Sequence, residues 1–329
     1  MEQRRFGDTD LVCSALGFGT WEMGTTQYGQ IDVTEAAAAV SSAIDNGINL
    51  IDTAAVYGPF HSEILLAKAL GTRRKEVVLV SKVGFGITEG GRDTGRDSSR
   101  MSVIWGAEGC LRRLGTDYLD LLLIHWPDRK TPLAETVGAL EELKKDGKIR
   151  HYGVSNFTPE MMEECQEFGK LAANQVGYNL FDRRMESRVL SCCAEHRIGF
   201  MAYGTLGFGL LTGAFTPETS FVSWDWRSSG NAFGLPIFER YYFLRELRVV
   251  ERLKPLAARY GKTVPQLAIA WDLRQPAVTV ALVGARKPSE VEENVKAVDW
   301  RLPAEAAADI DLIFREEGVS THVDSPQAV

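Results

Sequence analysis

Residues 48–58, INLIDTAAVYG, decide the fold: a short apolar run ends on Asp52, and Tyr57 follows five residues later. The same pattern recurs in EVVLVSK (76–82), which closes on Lys82, and in LDLLLIHWP (119–127), where His125 follows the run. Runs this short and this continuously apolar describe strands of a parallel sheet buried on both faces. The C-terminal ends of such strands form the catalytic rim of a barrel, so four polar side chains of complementary charge are expected on one rim.

Working outward, eight strands are predicted: SALGFGT (14–20), NLIDTA (49–54), VVLVSKV (77–83), YLDLLLIHW (118–126), HYGVSNF (151–157), ANQVGYN (173–179), GFMAYGTL (199–206) and VTVALVGAR (278–286). Between them lie helical stretches such as TEAAAAVSSAIDNG, VGALEELKKDGK and ESRVLSCCAEHR. Thr158-Pro159 reads as an N-cap with a first-turn proline, and Thr263 with Gln266 as a capping box. Eight βα units over residues 1–329 predict one α/β domain, a (β/α)8 TIM barrel. RRFGDTDLVCSA (4–15) reads as an N-terminal hairpin that plugs its bottom.

Two segments fall outside the βα rhythm. Residues 212–242 are too long for an ordinary βα loop and carry Phe215, Phe221, Trp224, Trp226, Phe233 and Tyr241. They are expected to form a lid after strand seven, either closing over substrate or packing on the barrel wall. The polar residues 318–329 are expected to be a mobile tail.

Composition limits the partners. A net charge of −7, from 37 basic and 44 acidic residues, gives no basic surface for nucleic acid or an anionic membrane, so the partner is a small molecule. The polar start MEQRRFGDTD lacks the apolar stretch of a signal peptide, and no run reaches membrane-spanning length. The five cysteines show no CxxC spacing, which favours reduced thiols in a cytoplasmic protein over a disulfide framework or a metal site. Oligomeric state is left open.

The four rim residues suit proton transfer. A free tyrosine titrates near pH 10, so at neutral pH it needs a cation to stabilise its phenolate, and Lys82 can be that cation. Asp52 supplies the counter-charge to Lys82, and His125 can hydrogen-bond a substrate oxygen. With no Ser or Cys nucleophile and no metal motif, such a relay fits interconversion of carbonyl and alcohol with an external hydride source. Taken singly, each residue also fits a plain structural role: a helix-capping Asp, a packed Tyr, a satisfied core His.

At this point the chain resembles the aldo-keto reductase superfamily. GINLIDTAAVYG (47–58), LRRLGTDYLDLLLIHWPD (111–128), GKIRHYGVSNF (147–157) and NQVGYN (174–179) match its motifs in order, and the likeness runs from the N-terminal hairpin to EEN at 292–294. The resemblance implies a catalytic tetrad of Asp52, Tyr57, Lys82 and His125, with Tyr57 as general acid in reduction and base in oxidation. It implies NADP(H) and/or NAD(H) as cofactor. The implied contacts are Gly19, Thr20 and Trp21 after the first strand, then Ser155, Asn156, Gln175 and Tyr203 around the nicotinamide. Gly204, Leu206 and Gly209 would wrap the pyrophosphate with backbone N–H groups, and Gly284, Arg286, Glu290, Glu293 and Asn294 would hold the adenosine end. Ser289 and Glu292 also read as a capping box.

Three positions depart from the family pattern: Phe208 and Ala214 stand where many members carry arginine and lysine, and Glu290 where relatives that bind a 2′-phosphate tend to carry arginine or glutamine. A carboxylate at Glu290 would repel NADPH or accept from the free ribose hydroxyl of NADH; it also fits an ordinary glutamate in a helix's first turn. Trp21, Tyr28, Phe85 and Trp126 are expected to line a substrate pocket for sugars, cyclitols, aromatic aldehydes or polycyclic ketones. Rival readings are a non-catalytic nucleotide-binding regulatory subunit, a Schiff-base aldolase using Lys82, and a lyase or isomerase using Tyr57 and His125.

Overall fold

The computed structural model describes residues 1–24, 28, 31–88, 91 and 93–322. A hairpin of β1 (Gln3–Arg5) and β2 (Val12–Ser14) precedes β3 (Leu16–Gly19) and β4 (Leu50–Asp52). After β5 (Val78–Val83), a second small hairpin of β6 (Phe85–Ile87) and β7 (Asp93–Arg96) lies outside the main sheet. Next come β8 (Leu119–Ile124), β9 (Ile149–Ser155), β10 (Ala173–Gly177), β11 (Gly199–Tyr203) and β12 (Val278–Gly284). The parallel strands β3, β4, β5, β8, β9, β10, β11 and β12 close into a barrel in that order. This is the (β/α)8 architecture read from the apolar runs.

The helices are α1 (Trp21–Gly24), α2 (Val33–Asp45), α3 (His61–Leu70), α4 (Arg100–Leu114), α5 (Leu133–Lys145), α6 (Pro159–Phe168), α7 (Val189–Glu195), α8 (Arg240–Arg259), α9 (Val264–Leu273), α10 (Pro288–Asn294) and α11 (Ala304–Glu317). Every residue of β5 and β8 is buried, because the barrel interior covers one face and the helices the other. Inside, Leu50, Val80, Leu121, Leu123, Met201 and Val280 pack with Phe6, Leu11 and Cys13 of the hairpin. Phe6 lies against Gly199, the first residue of β11, so the hairpin closes the end of the barrel where the strands begin. The opposite end is left for chemistry.

The caps explain where helices start. Thr158 accepts from the Met161 N–H ahead of Pro159, and Thr263 and Gln266 form the reciprocal capping box. Ser289 and Glu292 do not form one: α10 begins at Pro288 with Lys287 at the N-cap position and no side-chain cap, because proline already fits the first turn.

The long connection ends at Glu239, since Arg240–Tyr242 already belong to α8. Its aromatic residues divide. Phe215 and Phe221 pack with Phe243, and Trp226 and Phe233 turn toward the barrel rim, while Trp224 remains exposed, as does Tyr241 in the first turn of α8. At the C-terminal end, the Thr321 carbonyl accepts from Arg183 N–H, and Gly318 accepts from Arg245, so the first residues of the expected tail are tied down; residues 323–329 lie outside the described residues.

Candidate active site

Asp52 ends β4, Lys82 sits on β5 and His125 follows β8, so three neighbouring strands deliver them to one rim. Tyr57 arrives from the loop after β4. That loop is pinned by a close backbone approach: a Cβ on Gly24 would meet the Tyr57 carbonyl at 2.4 Å, and one on Gly58 (φ +64°) would meet the Gly24 carbonyl at 1.0 Å. Only glycine fits at both positions, and the approach fixes where Tyr57 stands.

Lys82 Nζ donates to Asp52 Oδ1 at 2.5 Å, to the Thr53 carbonyl at 3.0 Å and to the Tyr57 hydroxyl at 3.1 Å. Asp52 Oδ2 accepts from Gln175 Nε2 at 2.8 Å. Asp52 and Lys82 are buried, and each is compensated by the other. The His125 ring meets Tyr57 edge-on at 5.7 Å and Phe85 edge-on at 5.5 Å. Its Nδ1 is buried without a hydrogen-bond partner among the described residues.

Burial, with the Asp52 carboxylate adding to it, holds the Tyr57 phenol well above its ordinary value of 10.0. Burial also pulls Lys82 below its ordinary value, with the Asp52 carboxylate opposing it. Tyr57 therefore rests as a protonated donor. Burial also holds His125 well below 6.5, with the Lys82 charge acting in the same sense, so its imidazole is neutral at pH 7.

Beside these groups runs a cavity of about 580 Å³. Asp52, Tyr57 and His125 line it, and so does every residue expected to meet cofactor or substrate: Gly19, Thr20, Trp21, Tyr28, Phe85, Trp126, Ser155, Asn156, Gln175, Tyr203, Gly204, Leu206, Gly209, Gly284, Arg286, Glu290, Glu293 and Asn294. Lys82 stands behind Asp52 and Tyr57. Tyr203 donates from its hydroxyl to Asn156 Oδ1 at 2.9 Å, while Asn156 Nδ2 donates to the His125 carbonyl at 3.2 Å and to Ser155 Oγ at 3.0 Å.

In the glycine belt, the N–H groups of Gly207 and Gly209 donate inside the turn, to the Gly204 and Leu206 carbonyls, while Gly204, Leu206 and Gly209 line the cavity. Glu290 is more than a first-turn residue: Oε2 accepts from the Arg286 N–H at 2.8 Å, and Oε1 lies 3.7 Å from the Arg286 guanidinium.

Among the cavity residues that the sequence reading did not name as site residues, Phe208, Phe233, Arg227 and Glu22 bear on its chemistry. Phe208 and Phe233 are packed together at 5.4 Å, both at positive φ, and Phe233 also stacks on Trp126 and meets Tyr203 edge-on. Arg227, on the long connection, closes on Asp225 at 2.6 Å and donates to the Phe208 carbonyl at 3.1 Å. Glu22 directly follows Trp21. Only the aromatic density of the connection signalled any of these contacts. Away from the cavity, ligand atoms of Glu163, Cys192 and His196 lie within 4.8 Å of one another, and none of the three lines it. No helix among the described residues is long and apolar enough to cross a membrane.

Comparison with known proteins agrees with this geometry. The model of the Aldo/keto reductase family matches residues 15–314. The chain is 39% identical to "Aldo-keto reductase YhdN" of Bacillus subtilis (strain 168), covering 95% of this chain and 94% of that protein. It is 35% identical to the "NADH-specific methylglyoxal reductase" of Escherichia coli (strain K12), covering 92% and 95%. Among solved structures, the glycerol dehydrogenase AKR11B4 from Gluconobacter oxydans superposes with a TM-score of 0.87 at 36% identity, covering 97% of this chain and 96% of that one.

Proposed function

The chain belongs to the aldo/keto reductase family and is an NAD(P)H-dependent oxidoreductase of it; from that premise we propose that it interconverts a small carbonyl compound and its alcohol, with Tyr57 moving the proton. The observation that carries this reading is the Tyr57 hydroxyl, held at 3.1 Å by a buried ammonium and facing the same cavity as the neutral His125 ring. A bound nicotinamide dinucleotide supplies the hydride.

The residues fit such a group. Ser155, Asn156 and Gln175 present amide and hydroxyl atoms on one wall, and the Tyr203 ring faces the same space, the donor and acceptor set that a nicotinamide carboxamide and ring require. Gln175 has one amide hydrogen bond committed to Asp52, which fixes the orientation of the rest. In reduction, Tyr57 gives its proton to the substrate oxygen while the neutral His125 hydrogen-bonds that oxygen. Charge then grows on the phenolate 3.1 Å from Lys82, where the ammonium stabilises it more than it does the resting phenol.

The substrate end is walled by Trp21, Phe85, Trp126 and Phe233, with Phe233 stacked on Trp126 as a ceiling. That enclosure favours small carbonyl compounds over polycyclic ketones, in keeping with relatives named for methylglyoxal and glycerol. The test is steady-state reduction of a carbonyl panel with NADPH and NADH separately. No turnover across the panel, with dinucleotide still bound, would replace this reading by a non-catalytic nucleotide-binding subunit.

The resting electrostatics predict a pH profile. With the Tyr57 phenol above 10.0 and the His125 imidazole below 6.5, kcat for reduction at saturating cofactor stays flat between those limits. An inflection inside the plateau that His125→Gln removes would mean that the imidazole titrates and that its assignment as neutral is wrong.

Cofactor preference yields a further expectation. A carboxylate about 5 Å from a 2′-phosphate charge costs roughly 3 kcal/mol at an effective dielectric near 20, less after salt screening. NADH is therefore expected to support turnover, and Glu290→Arg to raise kcat/KM for NADPH relative to NADH by roughly tenfold, with Ala214→Lys adding a smaller, salt-sensitive gain. Because Glu290 also accepts from Arg286 N–H, Glu290→Gln is the control that keeps the acceptor and removes the charge. A ratio unchanged in all three variants would leave Glu290 as a loop-holding residue only.

A further inference from the structure

The cavity is built to receive a dinucleotide, yet its wall is poor in positive charge. Arg227 and Arg286 are its guanidinium groups among the described residues, and each is already paired, with Asp225 at 2.6 Å and with Glu290 at 3.7 Å. Against them stand the carboxylates of Glu22, Asp52, Glu290 and Glu293. Asp52 is matched by Lys82 and Glu290 by Arg286. Among the described residues, neither Glu293 nor Glu22 has such a partner.

Its position is defined by a glycine. A Cβ on Gly284, the last residue of β12, would lie 2.1 Å from Glu22 Oε2 and 2.4 Å from Oε1, so the carboxylate rests on the bare Cα of Gly284. Any side chain there would expel it. Arg227 from the long connection and Arg286 from beyond β12 both act on Glu22 by charge, Glu290 repels it, and its own charge opposes ionisation of the Tyr57 and Tyr28 phenols. Burial is the largest influence on Glu22 and holds its acid form to higher pH than an ordinary glutamate. A carboxylate that lines the same cavity as two guanidinium groups competes with an anionic phosphate for their charge.

We propose that Glu22 is the specificity-determining charge of the dinucleotide channel: resting on Gly284, it stands in for a cofactor phosphate, and binding of the dinucleotide requires Glu22 to take up a proton. This rests on the reading of the cavity as a nicotinamide dinucleotide site. Like charges brought together favour the protonated form, so binding is coupled to proton uptake and weakens as pH rises. NADPH, which brings more negative charge than NADH, is disfavoured more.

The test measures dissociation constants for NADH and NADPH by quenching of tryptophan fluorescence in wild type, Glu22→Gln and Glu22→Asp. Calorimetry in two buffers of different ionisation enthalpy counts protons taken up. Measured from about pH 5.5 to 8.5, wild-type Kd should rise with pH, by up to roughly tenfold per pH unit where one proton is taken up on binding. Glu22→Gln, close in size, should bind at least roughly tenfold tighter at the alkaline end of that range, with a flat profile and no proton uptake. Glu22→Asp keeps the acid and should keep the slope. Parallel profiles and equal proton counts in wild type and Glu22→Gln would overturn the proposal while leaving the dinucleotide site standing. Absence of binding by either nucleotide in any of the folded proteins would overturn the site and the proposal together. If Glu22→Gln failed to fold, a wild-type proton count of zero would by itself be decisive against it.

Discussion

Tyr57→Phe is expected to lower kcat by roughly 10²–10⁴-fold, the range that general acid catalysis contributes, while Kd for the dinucleotide stays within a few fold. The change removes one oxygen and keeps the ring, so the contacts of that ring with Trp21 at 6.1 Å and His125 at 5.7 Å persist. The hydroxyl's hydrogen bond from Lys82 is lost, but Lys82 retains Asp52 and the Thr53 carbonyl. No buried charge is stranded, and the fold should be almost unaffected. Single-turnover hydride transfer and dinucleotide binding, measured on the same preparation, separate loss of chemistry from loss of cofactor. A kcat close to wild type would take Tyr57 out of the mechanism.

How far the sequence foretold this site depends on which interaction carries each residue. Asp52, Lys82 and His125 are positioned by strand periodicity, and a buried parallel strand is legible from a local apolar run, so its end is legible too. Tyr57 is fixed by the Gly24–Gly58 backbone approach, which joins residues distant in sequence, but the family motif spans it. The β6–β7 hairpin escaped because its residues, FGI and DTGR, lack the apolar alternation that marks strands. Glu22 and Arg227 escaped for a different reason. Their roles arise from Gly284 and Asp225, partners whose proximity exists only once the barrel closes and the long connection folds back. The burial around Tyr57 was not legible either: charge pairing can be argued from residue types, but the amount of burial opposing it requires the packed structure.

Lys82→Met should suppress turnover at least as strongly as Tyr57→Phe and, unlike that change, should destabilise the protein by about 3–5 kcal/mol. The pair it breaks is buried: Lys82 is 1% and Asp52 3% exposed, and the 2.5 Å contact is the ammonium's shortest. Methionine fills the aliphatic space but leaves Asp52 with Gln175 as its remaining side-chain hydrogen-bond partner. An uncompensated buried carboxylate is costly, and its repulsion of a developing phenolate at Tyr57 adds to the loss of the cation. Stability and catalysis can be separated by the double variant Asp52→Asn/Lys82→Met, which removes both charges together. Its midpoint of urea denaturation should return most of the way to wild type, since a neutral amide facing a thioether leaves no ion unpaired, while kcat should regain only the part lost to Asp52 repulsion and stay far below wild type, because no ammonium faces the Tyr57 oxygen. If the double variant recovered turnover along with stability, Lys82 would be a structural counter-ion to Asp52 and the cation would have no part in proton transfer.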